Sequence, residues 1–463
     1  MLSLVILILS TVVLCAQSSF VPRKIIFTGL RKTKRAIVAR EIPFSVGTPI
    51  LVEDTARFFQ TAAYNIFNTR LFNYVQCRVD SLQADSSGHS TGIVRIQLHE
   101  RWYTFPSPIF ELADRNFNEW WYDRNADLRR VNLGVRFLQK NVRGRNEDLT
   151  LIVQGGFTRK LDVTYFFPYI DRRQTWGLKL SGSFANNKDV AVRSVGNRLI
   201  YRRDEESFGR ERWMGNLQFS HRKSIYGYHY IDFFYQYNRI SDFIAGYNDS
   251  YFSKGLPYQR YGEVRYSFLA DRRNVRYFAT RGYAFSAMAG RIGLLPADNF
   301  NLWYIRGTLA TYKAVSERLY FASRVEMELS NPQNQPYLGT RSLGYENRFV
   351  RGYERYIMEG AVNGYSRNTL RYKILGRKFN ARWVPLKQFQ FVPLDVYITA
   401  FGDAGVVQNP HVLPENKRLV NTILAGYGLG INIVSFYDVV FRAEYSRNIH
   451  HDSGVYFSFL TDI

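Results

Sequence analysis

The sequence predicts an all-β membrane protein, in which a small N-terminal α+β domain precedes a 16-stranded transmembrane antiparallel β-barrel. The first observation is composition: aromatic residues reach 16%, yet the mean hydropathy is only −0.27. A helical membrane protein would be more apolar and a soluble domain less aromatic, whereas membrane barrels carry aromatic girdles around a polar interior. The second observation is a repeated alternation of apolar and polar side chains, which begins near residue 129 and is typical of β-strands.

The N-terminus predicts a secretory signal peptide, residues 1–16. These residues carry no charged side chain and end at the small residue Ala16. The run is too short to span a membrane comfortably. A lipoprotein signal at Cys15 fits less well, because Leu14 stands where a small residue is expected. Once the signal peptide is removed, Cys77 is the one remaining cysteine, so no intramolecular disulfide is expected.

Residues 21–102 predict the N-terminal domain. Apolar residues at helical spacing run within 51–72, and a shorter helical stretch precedes them. Alternating segments predict strands at 24–29, 75–82 and 92–100, which gives the order β-α-α-β-β. We expect a small sheet with two helices on one face and with the strand at 75–82 on an open edge. Open edges recruit extended peptides by strand addition.

Residues 103–128 predict a linker, and residues 129–463 predict the barrel. Pro and Trp residues in the linker suit an anchor at the membrane interface, where Trp is favoured.

In segment 319–330 the apolar side chains share one face and Glu326 lies on the other. An apolar exterior around a polar interior needs a closed ring of strands, because lipid tolerates no open sheet edge. An even number of strands returns the chain to its starting side. Sixteen segments are predicted: 129–139, 148–156, 158–167, 175–185, 195–203, 211–221, 226–240, 260–271, 281–292, 300–314, 319–330, 367–379, 394–406, 421–434, 437–448 and 454–463.

A long segment without a strand pattern, 331–367, separates the eleventh and twelfth predicted strands. Long structureless loops in compact proteins are usually functional. Alternation in segment 394–406 places Asp403 on the polar face, so its carboxylate is expected to point into the barrel. Arg351 in the loop offers a planar fork of donors to a carboxylate, and Gly352 lets the backbone approach the wall closely. The sequence therefore predicts that Arg351 binds Asp403 and pins the loop inside the barrel.

Two motifs in this region resemble the BamA/TamA family of outer-membrane assembly proteins. In the loop, the family's Val-Arg-Gly-Phe/Tyr tip is matched by Val350, Arg351, Gly352 and Tyr353, followed by Glu354. On the later strand, the aromatic-x-Asp-x-Gly signature is matched by Phe401, Asp403 and Gly405. The family often supplies a second acidic partner for the arginine from strand twelve, where this chain carries Arg371, Lys373 and Arg377. The candidates for that second partner here are Glu354, Glu326 and Glu328.

The N-terminal domain resembles a POTRA domain of the same family. Positions that recur in POTRA domains are matched by Gly29, Arg40, Glu41, Leu71, Phe72 and Asn73. Their expected roles are architectural, with Gly29 in a turn and Phe72 in the core. POTRA domains act by offering a sheet edge rather than a reactive group.

The resemblance implies an outer-membrane protein whose POTRA domain, 21–102, lies in the periplasm and which assembles or inserts other outer-membrane proteins. Unfolded client proteins would bind at the POTRA sheet edge and at a lateral seam between segments 129–139 and 454–463. The barrel would contact outer-membrane lipids, and accessory lipoproteins are further partners that the family allows. The alternatives are a translocation or secretion channel of the same family and a passive structural barrel.

Other classes of function are not favoured. A net charge of +23 suggests nucleic acid, but Lys and Arg are scattered along the chain, and a secreted protein is not expected to meet nucleic acid. No metal site and no cofactor are expected, because the seven His and Cys77 lack the spacing of ligands. No His-Glu-x-x-His or P-loop motif occurs, so an enzyme is not predicted.

Overall fold

The computed structural model describes residues 19–84, 89–114, 119–222, 224–345, 347–380, 391–435 and 439–459. The predicted signal peptide, residues 1–16, lies outside the described residues. The chain forms two compact units that divide after Glu100, with Lys32–Lys34 belonging to the second unit. No described helix combines the length and the apolar character needed to cross a membrane.

The first unit is a small α+β fold. Its elements are β1 (Ser19–Thr28), α1 (Arg35–Ala39), β2 (Ile50–Leu51), α2 (Val52–Phe67), β3 (Phe72–Ala84) and β4 (His89–Glu100). The sheet order is β2-β1-β4-β3, with β1 and β4 parallel and the other neighbours antiparallel. The five predicted elements are present, and β3 is an edge strand as expected. The two-residue strand β2 was not predicted, because so short a segment shows no alternation.

The second unit contains one large antiparallel sheet. Its elements are β5 (Thr104–Leu112), β6 (Val131–Gln139), β7 (Asp148–Gly156), β8 (Thr158–Phe167), β9 (Trp176–Asn187), β10 (Asp189–Val195), β11 (Arg198–Arg203), β12 (Arg210–His221), β13 (Gly227–Ile240), α3 (Asp242–Ala245), β14 (Tyr258–Asp271), β15 (Gly282–Ile292), β16 (Leu302–Ala314), β17 (Leu319–Asn331), β18 (Val362–Asn380), β19 (Phe391–Gln408), β20 (Ile423–Val434), β21 (Val440–Asn448) and β22 (Ser453–Phe459). Sixteen of these strands follow one another from β5 to β22, and the hairpin of β10 and β11 forms a separate two-stranded sheet.

The number of strands in the large sheet is as predicted, but two assignments are corrected. The sheet does not begin at residue 129: its first strand, β5, lies inside the predicted linker 103–128. The segment 195–203, predicted as the fifth strand, belongs to the separate hairpin instead. The predicted seam between 129–139 and 454–463 is corrected for the same reason, because the two edge strands of the sheet are β5 and β22.

The two faces of the sheet differ in exposure as a membrane barrel requires. In β17, Met327 is 64% exposed, whereas the adjacent Glu326 is 2% exposed. This is the reverse of a soluble sheet, in which apolar residues are covered and charges face water. We call the face that carries Glu326 the covered face. The connection between β17 and β18, residues 332–361, packs on it and is called the long loop.

The hydrogen bonds at both ends of β5 show which of its residues face β6. The Lys140 N–H donates to Tyr103 O (2.7 Å), and the Ala113 N–H donates to Arg130 O (2.8 Å). Opposed residues in an antiparallel pair alternate between bonded and unbonded positions. The odd-numbered residues of β5 therefore direct their backbone groups to β6, and the even-numbered residues direct theirs to the free edge.

This alternation places two prolines at the free edge of β5. Pro106 and Pro108 are even-numbered, and proline has no N–H to donate. The free edge therefore lacks two consecutive outward donors, although its carbonyl groups remain. In the described part of the chain, no backbone pairing joins β5 to β22.

Candidate functional site

The tip of the long loop is buried against the sheet. Val350 and Tyr353 are fully buried, and they pack in one apolar cluster with Leu343 and Met358 of the same loop. Leu424, at the start of β20, belongs to the same cluster. The loop is therefore an ordered part of the covered face rather than a solvent-exposed connection.

Arg351 and Asp403 form the predicted pair. The Arg351 Nε donates to Asp403 Oδ2 (2.7 Å), and its Nη2 donates to Asp403 Oδ1 (2.8 Å). The Arg351 backbone N–H adds a third bond to Oδ2 (3.2 Å). Arg351 is 6% and Asp403 is 4% exposed. This is the two-atom fork geometry that a guanidinium offers to a carboxylate, in a buried setting where losing one partner is costly.

The second acidic partner of Arg351 is Glu444 of β21, which was not predicted for this role. The Arg351 Nη1 donates to Glu444 Oε1 (3.2 Å), and Nη2 also donates to Thr369 Oγ1 (2.9 Å). The candidates Glu326 and Glu328 are bound instead by Arg348 at 2.9 Å and 3.1 Å.

Glu354, the third predicted candidate, bonds within the loop tip. Its Oε2 accepts from the Gly352 N–H (2.8 Å). Glu444 could have been found from the alternation of β21, which puts it on the covered face together with Arg442 and Ser446.

Two aromatic residues support the cations of this region. The Arg351 guanidinium lies 3.8 Å from the centroid of the Phe401 ring, so Phe401 stacks against the cation of the pair. Arg367 of β18 stacks 4.1 Å from the Phe349 ring centroid, and its Nε donates to Phe349 O (2.9 Å). Cation–π contacts of this kind strengthen when they are desolvated. Arg367 is therefore a second anchor of the loop tip, which sequence reasoning missed.

Strand twelve presents its basic residues differently from one another. Arg371 faces the covered side, as expected, and its Nη1 donates to Ala279 O (2.9 Å). Lys373 pairs with Asp395 at 2.7 Å. Arg377 is exposed near the far end of β18. None of these three basic residues contacts the Arg351–Asp403 pair. The second acid comes from β21 instead, as Glu444.

Glycines allow the loop tip to approach the sheet. Gly352 has a φ of +93°, a left-handed conformation that favours glycine. A Cβ on Gly426 of β20 would overlap the Arg351 carbonyl oxygen, and one on Gly405 would crowd Val350. The Asn448 Nδ2 donates to Gly352 O (2.7 Å), and Tyr353 Oη bonds His450 Nδ1 (2.8 Å).

Gly426→Ala is expected to displace the loop tip. The added methyl group meets backbone rather than a flexible side chain, and overpacking of this kind costs about 1–3 kcal/mol. We expect a lower thermal midpoint and faster proteolysis within the long loop of the folded protein. Gly402→Ala is the matched control, because a Cβ there meets nothing within 4 Å. Equal behaviour of the two variants would contradict the close approach.

The predicted signature of the first unit is structural. Gly29 has a φ of +88°, and a Cβ there would overlap the Leu98 carbonyl oxygen. Leu71 and Phe72 are buried core residues, and Asn73 is half-buried beside a register shift in β3. Glu41 is buried and its backbone O accepts from Asn65 Nδ2 (3.1 Å), whereas Arg40 is half-buried.

In the described part of the first unit, neither candidate for reactive chemistry has the required geometry or ionisation. The string GHSTG at 88–92 fits the Gly-x-Ser-x-Gly pattern, but Ser90 lies within β4 and pairs with Phe20. A nucleophile elbow needs a turn from strand to helix. Burial raises the pKa of the Cys77 thiol to about 12, so little thiolate is present at neutral pH. Among the described residues, no group of three or more His, Cys, Asp or Glu is placed to hold a metal ion.

One family model and several solved structures match the chain. Residues 141–444 match the Omp85 superfamily domain. The fold is similar to BamA from Haemophilus ducreyi lacking POTRA domains 1-3, with 13% identity, a TM-score of 0.54, and coverage of 95% of this chain and 84% of that chain. It is also similar to CdiB from Escherichia coli, with 13% identity, a TM-score of 0.55, and coverage of 96% and 76%. CdiB from Acinetobacter baumannii gives 12% identity, a TM-score of 0.51, and coverage of 96% and 74%. No curated protein sequence matches significantly.

Proposed function

Because the chain belongs to the Omp85 superfamily, we propose that it is an outer-membrane β-barrel protein that inserts other proteins into that membrane. In this proposal a client strand pairs with a sheet edge exposed at a lateral seam between β5 and β22. Outer-membrane lipids surround the apolar face, and accessory lipoproteins are further expected partners. The function needs no chemical step and no cofactor.

The observation that carries this proposal is the donor-poor free edge of β5. Backbone groups in lipid must find hydrogen-bond partners, so a complete seam would be hard to open. Pro106 and Pro108 remove two donors from the seam. A seam with fewer hydrogen bonds opens at lower cost, which is what strand exchange with a client requires.

The first unit is proposed to act as a POTRA domain in the periplasm. Its sheet has β3 at an edge, and the open edge of a sheet can bind an extended peptide by strand addition. Unfolded client segments are the proposed ligands. The signature residues would serve this role indirectly, since Gly29 and Phe72 hold the sheet in shape.

A translocation channel of the same family is the second candidate, and a passive barrel is the third. The long loop disfavours a passive open pore, because it occupies the covered face and is held there by buried bonds. The hairpin of β10 and β11 adds to this obstruction. Its Ser194 Oγ donates to Glu359 Oε2 of the long loop (2.7 Å).

Depletion of the protein, followed by quantification of the outer-membrane and exported proteomes, tests the proposal. We expect the levels of several barrel proteins to fall, because their insertion would slow. Loss of an exported soluble protein with unchanged barrels would favour the translocation channel. Unchanged levels of both classes would contradict both active functions.

A further inference from the structure

A cavity of about 440 Å³ lies on the covered face, apart from the Arg351–Asp403 pair. Arg210 and Arg212 of β12 line it, and so does Arg341 of the long loop. The first two are separated by two positions, so their side chains project from the same face of the strand. We call these three residues the arginine triad. Tyr251, from the connection between β13 and β14, also lines the cavity.

The arginine triad carries positive charge that no direct ion pair among the described residues neutralises. In the described part of the chain, no carboxylate lies within ion-pair distance of any of its three guanidinium groups. The other arginines that line the cavity differ in this respect, because Arg306 pairs with Glu328 and Arg348 pairs with Glu326 and Glu328.

The acidic groups near the triad are already engaged. Asp189 lines the cavity and pairs with Arg130 at 3.1 Å. Glu359 forms a backbone bridge with Arg341, but its carboxylate accepts from Ser194 Oγ (2.7 Å) and Tyr345 Oη (2.8 Å). The excess charge of the triad is therefore local and not an effect of the chain's overall basicity.

Several donors of the site also have no hydrogen-bond partner. The Nε atoms of all three triad residues are buried without one, although the Arg210 Nη2 donates to Asn238 Oδ1 (2.8 Å). Arg210 is 7% exposed. Buried polar groups in proteins are normally hydrogen-bonded, and buried charges are normally paired. A ligand that supplies several acceptors and negative charge would satisfy all of these groups together.

We propose that this cavity binds a phosphate group, either as free phosphate or as part of a small soluble phosphorylated molecule. Guanidinium forks bind phosphate oxygens at two atoms, and three of them match a multiply charged oxyanion better than a single carboxylate. The volume is in the range of small-molecule sites. The inference does not rest on the proposed insertion function, because it uses neither the seam nor the loop tip.

Calorimetric titration of the full chain in detergent with inorganic phosphate, at constant ionic strength, tests the site. We expect saturable binding of one phosphate per chain. Arg212→Gln should weaken this binding roughly tenfold or more, because it removes a charge-assisted donor from the cavity. Arg239→Gln is the matched control: Arg239 lies on the neighbouring strand β13, is exposed, and does not line the cavity. It should bind phosphate as the unchanged protein does.

A second variant keeps the test decisive if Arg212→Gln folds poorly. Arg341 lies in the long loop, and Arg341→Gln should weaken phosphate binding to a similar extent. The thermal melting profile of this variant should match that of the unchanged protein. Titration with glucose 6-phosphate and with glucose separates the two sources, since tighter binding of the ester than of phosphate would indicate a phosphorylated molecule. Absence of saturable phosphate binding, or equal affinities of Arg212→Gln, Arg341→Gln and Arg239→Gln, would overturn the proposal.

Discussion

Arg351→Ala is expected to release the tip of the long loop and to abolish most of the insertion activity. The substitution leaves Asp403 buried without its fork of donors, and removing one partner of a buried pair costs about 3–5 kcal/mol. Glu444 loses its bond from the same guanidinium. The measurements are the rate of client insertion into vesicles that contain the full chain, and the rate of proteolysis within residues 332–361.

Three variants control this experiment. Arg351→Lys keeps the charge but not the planar fork, so it should fall between the unchanged protein and Arg351→Ala. The double variant Arg351→Ala with Asp403→Ala should be less destabilised than the sum of its single variants, because it removes the buried Asp403 carboxylate together with its cation. Arg418→Ala breaks an exposed pair with Asp452 and should cost only about 0–1 kcal/mol. Wild-type insertion and wild-type protease resistance in Arg351→Ala would refute the pinned loop.

Replacement of both edge prolines, Pro106→Thr with Pro108→Val, is expected to slow client insertion by strengthening the seam. Each substitution returns a backbone donor to the free edge of β5. Two added hydrogen bonds contribute about 1–3 kcal/mol, which corresponds to roughly 5- to 150-fold in the opening equilibrium. Hydrogen exchange of the β5 and β22 amides should slow in parallel with the loss of insertion.

Phe110→Val is the matched control for the edge prolines. Phe110 is also an even-numbered, exposed residue of β5, but its N–H is already present, so the substitution adds no donor. Its exchange and insertion rates should stay close to those of the unchanged protein. If the double proline variant exchanges as fast as Phe110→Val and inserts clients normally, the prolines do not govern the seam.

Alternation was sufficient to predict the orientation of the strands and the face of the sheet that carries Asp403. Met327 and Glu326 face opposite sides, and Thr399, Phe401 and Asp403 are buried together, while Ile398 is exposed. These predictions succeed because a strand in a membrane barrel faces lipid on one side and the polar interior on the other. Its side-chain pattern therefore has a strict period of two.

The sequence was misleading where local composition and tertiary position disagree. Pro106 and Pro108 argue against a strand, and only the position of β5 at a sheet edge makes them acceptable. The hairpin of β10 and β11 alternates because one of its faces packs on protein, with Leu199 and Ala191 buried beside Tyr345 and Ile357. Alternation alone does not show whether the apolar face of a strand packs on protein, as in this hairpin, or contacts lipid.

The second acid of the site was missed for a different reason. The alternation of β21 puts Glu444 on the polar face, but Glu444 lies 93 residues from Arg351 in the chain. One strand, β20, separates the strand of Glu444 from β19, which carries Asp403. Which inward-facing acid the loop reaches depends on the path of the loop, and no local pattern encodes that path.

The tip of the long loop is attached to the last hairpin of the sheet. Glu444 and Asn448 belong to β21, and His450 lies in the turn that follows it, so three of the bonds that hold Arg351, Gly352 and Tyr353 come from the hairpin of β21 and β22. Outward motion of that hairpin must therefore stretch these bonds. The two motions are therefore thermodynamically coupled. Tighter binding of the tip to β21 makes hairpin motion less favourable, and hairpin motion weakens binding of the tip by the same coupling free energy.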